Sequence, residues 1–151
     1  MRVYLAILDE TEEARAALRF AARRAAKTGG VVHILALVPR QPFVAFAGVQ
    51  ATIEEEARAR AEAQAAVAAS SVLTEGGFPP HIEVREGEGI KVVREYLAAH
   101  AEVAALVLGS ARDGAPGPLV THFSSHGIGD LPCPLMIVPG GLAEADIDRL
   151  S

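Results

Sequence analysis

Short apolar runs of strand length recur along the chain and are separated by segments with helical periodicity. Residues 2–8, 31–38 and 104–108 are apolar at nearly every position, and a shorter run covers residues 135–138. A strand covered by helices on both faces is apolar throughout, whereas a half-exposed strand alternates. The first three runs therefore predict buried strands, and the run over residues 135–138 predicts a last strand at a sheet edge. The alternating residues 81–85 predict a further, less buried strand, also at an edge.

Four helices are predicted between these strands, the first of them after Asp9 and ending at Gly29-Gly30. Glu12 and Glu13 are expected in its first turn, where the helix dipole favours negative charge. The second helix is predicted over residues 53–72, which are rich in Ala and Glu and lack Gly and Pro. The third and fourth helices are predicted over residues 90–100 and 123–128. Alternating strands and helices indicate right-handed crossovers and a parallel sheet with helices on both faces.

Two further segments lie outside this alternation. Residues 40–52 are expected to form a long connection. Its apolar residues are Phe43, Val44, Phe46 and Val49. Apolar side chains in a long loop need to be covered, so these residues could form a lid over a crevice, form a dimer contact or pack on the next helix. The tail from Gly140 is expected to be peripheral, so that a domain over residues 1–139 is followed by a tail over residues 140–151.

Residues at the ends of the predicted strands are the candidates for function. In an open parallel sheet the ligand crevice lies outside the carboxyl ends of the strands, at the switch in strand order. This rule selects a small set of positions, namely Asp9, Val38, Gly87 and Gly109-Ser110. Asp9 has two interpretations, because its carboxylate could bind a ligand or cap the first helix.

Composition and charge narrow the class of function. The chain has 151 residues and a formal net charge of −5, with Arg dispersed among Glu, which argues against a nucleic-acid-binding face. The single cysteine, Cys133, cannot form an internal disulfide, and neither a secretory signal nor a membrane-spanning run is evident. We therefore expect one cytoplasmic domain with no nucleic-acid or membrane partner.

No nucleophile stands at the spacing of a catalytic triad, so we expect no enzyme, with slow ATP hydrolysis left open.

Taken together, the strand ends resemble those of the universal stress protein family. The resemblance covers residues 2–139 and depends on the order and spacing of five features, which are Leu8-Asp9, Leu37-Val38, Gly87 before a helix, Leu108-Gly109-Ser110, and Pro132-Cys133-Pro134. It implies a five-stranded parallel sheet in the order 3-2-1-4-5. It also implies a homodimer paired through the last strand, which starts at Leu135 and ends at Val138.

The resemblance also implies a site for an adenine nucleotide. In nucleotide-binding members, an Asp after the first strand and backbone groups at the end of the second hold adenosine, and a loop of the form G-x-x-G, nine residues, G-[ST] surrounds the phosphates. By position, Asp9 and Val38 match the adenosine side, and Gly109 matches the first glycine of the loop. The implied ligand is ATP, ADP or AMP, with no metal beyond nucleotide-bound Mg²⁺, and the implied role is a sensor or regulatory module in the stress response.

The phosphate loop departs from this family pattern at two places. Arg112 stands where the second glycine should be, and Thr121-His122 stand where the family has Gly-[ST], in a loop one residue shorter. The lost glycines would permit positive φ angles and close approach of backbone N–H groups to oxygen atoms. Arg112 or a protonated His122 could instead pair with a phosphate. Hydroxyl groups could also donate hydrogen bonds, from Ser110, Thr121, Ser124 and Ser125.

Three functional classes follow from these observations. The favoured hypothesis is an adenine-nucleotide-binding regulatory protein, and the alternative is a nucleotide-independent dimeric interaction module of the same fold. A phosphoryl-transfer or hydrolytic enzyme is the third. His122 and His126 are four residues apart on a predicted helix, which is a zinc-binding spacing, but no third ligand is evident nearby and no metal site is expected.

Overall fold

The computed structural model describes residues 1–151, with the exception of the side chain of Ala47. In chain order the elements are β1 (Val3–Leu8), α1 (Ala14–Thr28), β2 (Val31–Val38), α2 (Ala47–Gly76), β3 (His81–Glu86), α3 (Gly89–Ala99), β4 (Val103–Ser110), α4 (Pro118–Ser124), a 3-10 turn (Ile128–Asp130), β5 (Leu135–Pro139) and α5 (Glu144–Leu150). Within the described residues, no helix combines the length and the apolar character needed to cross a membrane.

All five strands form one parallel sheet in the order β3-β2-β1-β4-β5. This confirms the predicted fold class and strand order. The central strand β1 is buried on both faces, and Leu5 and Ala6 at its middle are completely inaccessible to solvent. Because all strands point the same way, their carboxyl ends meet at one edge of the sheet, which we call the carboxyl edge.

Helices cover both faces of the sheet, as the apolar runs predict. On one face α1, α2 and α5 pack over Tyr4, Ala6 and their neighbours. On the other face α3 and α4 pack over Leu5 and contribute two large buried side chains, Tyr96 and Phe123. Apart from Leu18, every buried residue of α1 is an alanine. Small side chains allow this helix to lie close to the sheet, which fits a chain with few aromatic residues.

The first helix begins later than the sequence predicts. Its first residue is Ala14, so Glu12 and Glu13 precede the first turn instead of lying in it. The connection after β1 forms a turn of its own, in which the carboxylate of Asp9 accepts a hydrogen bond from the backbone N–H of Thr11 at 3.0 Å. Short polar side chains often form such local turns in competition with helix.

The second helix begins earlier than predicted, at Ala47, so the expected long connection over residues 40–52 is wrong in its second half. Gln50 explains the early start, because its side chain accepts a hydrogen bond from the Val44 N–H at 2.6 Å and donates one to Glu54 at 2.9 Å. Phe43 and Phe46 remain exposed, so the structure does not bury them on the following helix.

The short helix expected over residues 123–128 lies instead at Pro118–Ser124, and only the 3-10 turn follows it. Proline is favoured at the first position of a helix, and Pro118 stands there after Gly117, whose φ is +117°. His126 therefore lies outside the helix, and the expected helical spacing of His122 and His126 is wrong.

The C-terminal segment is not peripheral, in contrast to the expectation. It forms α5, which buries Ile147 in the core beside α1. The guanidinium of Arg19 donates two hydrogen bonds to the carboxylate of Asp148, both at 2.8 Å, and Arg23 lies 3.2 Å from the same carboxylate. Glu75 of α2 also pairs with both arginines. This ion-pair network joins three helices on one face of the sheet.

Removing the charge of Asp148 should destabilise the protein near neutral pH. The hydrogen bonds from Arg19 hold the pKa of the Asp148 carboxyl below its usual range. A carboxylate with a lowered folded-state pKa stabilises the fold above its unfolded-state pKa, about 3.9, and loses that contribution as the pH falls through the folded-state value. We expect Asp148→Asn to lower the Tm at pH 7, and the difference from wild type to shrink progressively below about pH 4.

The matched control is Asp146→Asn, because Asp146 pairs with Arg149 on the exposed side of the same helix. Exposed pairs contribute little to stability, so this variant should unfold close to wild type at both pH values. Equal Tm losses in the two variants would show that the Arg19 network stabilises the fold no more than an exposed ion pair does.

Candidate functional site

The carboxyl edge carries the residues selected from the predicted strand ends. Asp9 directly follows β1, Val38 is the last residue of β2, and Gly87 directly follows β3. Gly109 and Ser110, expected after the fourth strand, are instead its last two residues and pair with β5. Glycine is uncommon inside strands, so a sequence pattern ends the strand at Gly109 too early.

A small cavity of about 370 Å³ opens at the carboxyl edge, beside the ends of β1, β2 and β3. We call it the Asp9 cavity. It brings Asp9 and Gly87 together and is otherwise lined by Glu10, Leu37, Pro39, Arg40, Glu88 and Gly89. Each of these additional residues lies within two positions of one that the sequence selects. The strand-end rule selected one residue at each of these strand ends, whereas the neighbouring residues at the same ends also line the cavity.

Asp9 is held in place by the connection that follows it. Its Oδ1 atom accepts hydrogen bonds from the backbone N–H and from the hydroxyl of Thr11. Both bonds use Oδ1, so they do not occupy Oδ2. Asp9 does not cap α1, because Glu13 occupies the N-cap position of that helix. The carboxylate therefore shapes the turn at the cavity wall and keeps one oxygen for other contacts.

The side chain of Val38 points away from the Asp9 cavity. It is buried against Ala57 and Ala61 of α2, whereas its neighbours Leu37 and Pro39 line the cavity. The carbonyl of Val38 accepts a long hydrogen bond, 3.4 Å, from the backbone N–H of Gly87. Val38 therefore anchors the end of β2 to the core and to the end of β3.

The charged groups of the Asp9 cavity are mostly acidic. Asp9, Glu10 and Glu88 face one cationic side chain, Arg40. Two of the carboxylates have partners in the protein. Glu88 accepts hydrogen bonds at 3.1 Å from two backbone N–H groups at the start of α3, and Glu10 lies 3.1 Å from Arg60. The cavity is therefore suited to a ligand that presents hydroxyl or amino donors.

Gly109 lies where the backbone of the connection after β1 crosses the end of β4. A Cβ atom on Gly109 would come within 2.1 Å of the Glu13 carbonyl oxygen. Gly140 is equally confined, because a Cβ there would lie 2.6 Å from the Ser110 carbonyl oxygen and 2.8 Å from Glu13 Cβ. Ser110 also accepts a hydrogen bond from the Gly140 N–H at 2.8 Å. Close packing alone therefore explains the glycine at position 109.

The loop after β4 is closed on itself and exposed. The backbone N–H of Ala111 donates to the Pro116 carbonyl at 3.0 Å, and Gly114 has a φ of +74°. Arg112 is exposed in this loop, and its aliphatic stem passes next to Gly141, where a Cβ would lie 3.2 Å from Arg112 Cγ. The guanidinium thus stands on the β5 side of the carboxyl edge.

The remaining candidates lie on or after α4, and none of them lines the Asp9 cavity. Thr121, His122 and Ser124 belong to α4, and Ser125 follows it with its hydroxyl bonded to the Thr121 carbonyl. Ser124 and Ser125 stand at the carboxyl end of the helix, where carbonyl groups disfavour an anion. The ring of His122 packs edge-to-face on Phe123, with 4.9 Å between ring centres.

A second cavity, of about 850 Å³, extends from the same Asp9 turn down the groove between α1 and α2. Residues of the turn form its upper end, and Val72 and Glu75 of α2 lie along it. The sequence patterns do not predict this groove, because it depends on how two helices pack. Among the described residues, no group of three or more His, Cys, Asp or Glu side chains has the arrangement of a metal site.

Comparison with known proteins places this architecture in one family. The model described as the universal stress protein family matches residues 1–139. The universal stress protein UspA from Lactobacillus plantarum superposes with a TM-score of 0.78 at 19% identity, covering 91% of this chain and 97% of that one. A search of curated proteins finds no significant match.

Two further solved structures contain nucleotides. A universal stress protein in complex with cAMP has a TM-score of 0.57 at 15% identity, covering 91% of this chain and 96% of that one. The universal stress protein from Archaeoglobus fulgidus in complex with dAMP has a TM-score of 0.52 at 17% identity, covering 91% and 97%. At these identities the likeness concerns the fold. The family match over residues 1–139, on a sheet of the order 3-2-1-4-5, shows that this chain belongs to the universal stress protein family.

Proposed function

We propose that this protein is a stress-response regulatory module that binds an adenine nucleoside or nucleotide at the carboxyl edge of its sheet. The observation that carries the proposal is the Asp9 cavity, which lies at the strand ends where an open parallel sheet binds ligands. Structures of the same fold in complex with cAMP and with dAMP support the choice of an adenine nucleotide.

The nucleoside would occupy the Asp9 cavity. Leu37, Pro39 and the glycines of the β3–α3 connection offer apolar surface for a base. Asp9 Oδ2 is an acceptor for ribose hydroxyl groups, because the two hydrogen bonds that shape the turn use Oδ1. Val38 would act indirectly, by fixing the strand end that carries Leu37 and Pro39.

The phosphate would lie towards Ser110 and Arg112. Arg112 is an exposed cation of the loop after β4, and a guanidinium pairs well with a phosphate. Gly109 offers no open backbone cradle, since Glu13 lies against it. Thr121 and His122 lie on α4 outside the Asp9 cavity, so they would contact only a phosphate that extends towards this helix. Ser124 and Ser125 are not part of the proposed site, because they stand at the carboxyl end of α4.

Replacing Asp9 by Asn should weaken nucleotide binding while leaving the fold intact. The Asn side chain can still accept the hydrogen bond from Thr11, but it lacks the charge that strengthens bonds to ribose hydroxyls. Hydrogen bonds to charged groups contribute about 1.5–3 kcal/mol, so the Kd for AMP should rise by about 10- to 100-fold. Isothermal titration calorimetry measures this change.

The control is Asp113→Asn, an exposed carboxylate in the loop after β4. This variant should bind AMP as tightly as wild type or slightly more tightly, because it removes a negative charge near the proposed phosphate. An unchanged AMP affinity in Asp9→Asn, with wild-type Tm, would contradict the assignment of Asp9.

Additional phosphates should not strengthen binding. The backbone of Glu13 fills the space at Gly109. Arg112 stands where the family pattern has its second glycine, so one guanidinium is available to the phosphates in place of backbone N–H groups. We expect ATP to bind no more tightly than AMP in the same calorimetric titration with Mg²⁺ present. ATP binding more than about tenfold tighter, a difference of about 1.4 kcal/mol, would mean that the loop reorganises into a triphosphate cradle.

A nucleotide-independent interaction module remains the second candidate, and β5 is the observation that favours it. β5 lies at the edge of the sheet, and Ile137 on this strand is 41% exposed. An apolar edge strand normally has a partner. We propose that two copies pair through β5, with or without nucleotide. Absence of binding by AMP, ADP and ATP at millimolar concentration, together with a dimer, would favour this candidate over the first.

Placing a charge on β5 should separate the dimer. Ile137→Lys puts an ammonium group in the proposed interface, where burial without a partner is costly. We expect sedimentation at micromolar concentration to change from dimer to monomer. Ile128→Lys is the control, because Ile128 is similarly exposed, at 49%, but lies in the 3-10 turn. A monomeric wild type, or equal dissociation of both variants, would contradict pairing through β5.

A further inference from the structure

Three of the five histidines gather at the end of the sheet opposite the Asp9 cavity. His33 on β2 and His81 at the start of β3 are paired in register, and their ring centres are 4.9 Å apart. His100, at the C-cap of α3, has its ring centre 6.0 Å from that of His33 and stacks on Tyr96 at 3.8 Å. We call His33, His81, His100 and Tyr96 the histidine cluster.

Hydrogen bonds connect the histidine cluster to the core. The Nδ1 atom of His33 lies 2.8 Å from the hydroxyl oxygen of Tyr96, which is completely buried. The Nδ1–H of His100 donates to the Tyr96 carbonyl at 2.8 Å. Burial, with smaller effects of Glu83 and Glu102, raises the pKa of Tyr96 to about 12, so its hydroxyl stays protonated. A neutral His33 can accept the Tyr96 hydrogen bond, whereas a protonated His33 must donate it.

The charged and titratable groups around His33 come from β3, from the end of α3 and from the turn before β4. His81 and Glu83 belong to β3, and Glu83 lies 3.6 Å from Arg85 of the same strand. His100 and Glu102 come from the end of α3 and the turn before β4. On the β1 side, His33 is in register with the apolar Leu5. Glu102 favours a proton on His33, and burial and the two imidazoles oppose it.

Burial, followed by repulsion from His81, lowers the pKa of His33 below the ordinary value for histidine. When the folded-state pKa is the lower one, the unfolded chain takes up the proton first as the pH falls. Stability is therefore highest above the unfolded-state pKa, about 6.5, and decreases as the pH falls below it. The 4.9 Å between the two ring centres is the geometric basis of this repulsion.

The histidine cluster holds the carboxyl half of α3 to the sheet. Tyr96 and His100 belong to α3 and its C-cap, while His33 and His81 belong to the two strands beneath. The opposite end of the same helix supplies Gly89 to the wall of the Asp9 cavity. A helix of 11 residues thus joins the two places.

We propose that the histidine cluster makes the attachment of α3 to the sheet pH-dependent, so that acidification below about pH 6.5 loosens this helix and the wall of the Asp9 cavity that it carries. Three converging imidazoles, two of them hydrogen-bonded to a buried tyrosine, are the observation behind the proposal. The proposal does not depend on nucleotide binding, since it concerns the protein without ligand.

The test compares wild type with His81→Gln and with His126→Gln. His81 is exposed on an edge strand, so its replacement should not prevent folding, and His126 lies outside the histidine cluster in the turn after α4. An NMR titration of the imidazole signals gives the pKa of His33, and thermal unfolding at pH 7.5 and pH 5.5 gives the loss of Tm. Amide hydrogen exchange at the same two pH values, corrected for the intrinsic rate, compares α3 with α1.

In wild type, we expect His33 to titrate below the ordinary histidine value, and α3 to lose exchange protection at pH 5.5 while α1 retains it. His81→Gln should raise the pKa of His33 and reduce the Tm loss between the two pH values, because one repelling imidazole is gone. His126→Gln should behave as wild type. An ordinary pKa for His33, equal Tm losses in the three proteins, or protection of α3 that follows α1 would each overturn the proposal.

Discussion

Burial of the central strand on both faces is the constraint from which the rest of this structure follows. Leu5 and Ala6 point to opposite faces and are both inaccessible to solvent, so each face of β1 needs its own helical layer. A strand covered on both sides is most readily flanked by parallel neighbours, which requires helical crossovers. The alanines of α1 then let that helix lie close to the sheet, and the larger Tyr96 and Phe123 fill the other side.

The same close packing determines the shape of the carboxyl edge. Because α1 lies close to the sheet, the connection before it passes directly over the end of β4, and Glu13 meets Gly109 and Gly140 there. Beside the ends of β1, β2 and β3 space remains, and the Asp9 cavity opens there. A glycine that resembles part of a phosphate loop thus has a packing role, and the cavity that could receive a ligand is acidic.

The helix α3 is shared by two features that have no contact with each other. Its amino end, capped by Glu88, stands in the wall of the Asp9 cavity, and its carboxyl end is held through Tyr96 and the histidines. Between these two ends, the face of α3 that packs on the sheet is mostly apolar, so its contacts do not depend on pH. Glu95 in the middle of the helix pairs with Arg85 at exposed side chains, whereas the titratable groups that join α3 to the strands beneath lie at its carboxyl end, where a change of pH can act on the helix.

The sequence by itself determined the fold class, because continuous apolar runs of strand length that alternate with helical segments are typical of a parallel sheet covered on both faces. It also determined that Asp9, Val38, Gly87 and Gly109 stand at strand ends, since turn residues follow each run directly. The helix limits were less predictable. Gln50 starts α2 early through a side-chain hydrogen bond, and Arg19 ties down a tail that carries little apolar pattern, and both effects involve partners that no local pattern specifies.

Only the tertiary structure decided how these residues are used. Position along a strand does not reveal that Val38 faces the core, that Glu13 occupies the space above Gly109, or that Ser124 and Ser125 end a helix instead of beginning one. His33, His81 and His100 are far apart in the chain and meet because β2, β3 and α3 are neighbours in the sheet and the layer above it. Such contacts depend on distances between elements, which hydrophobic periodicity does not encode.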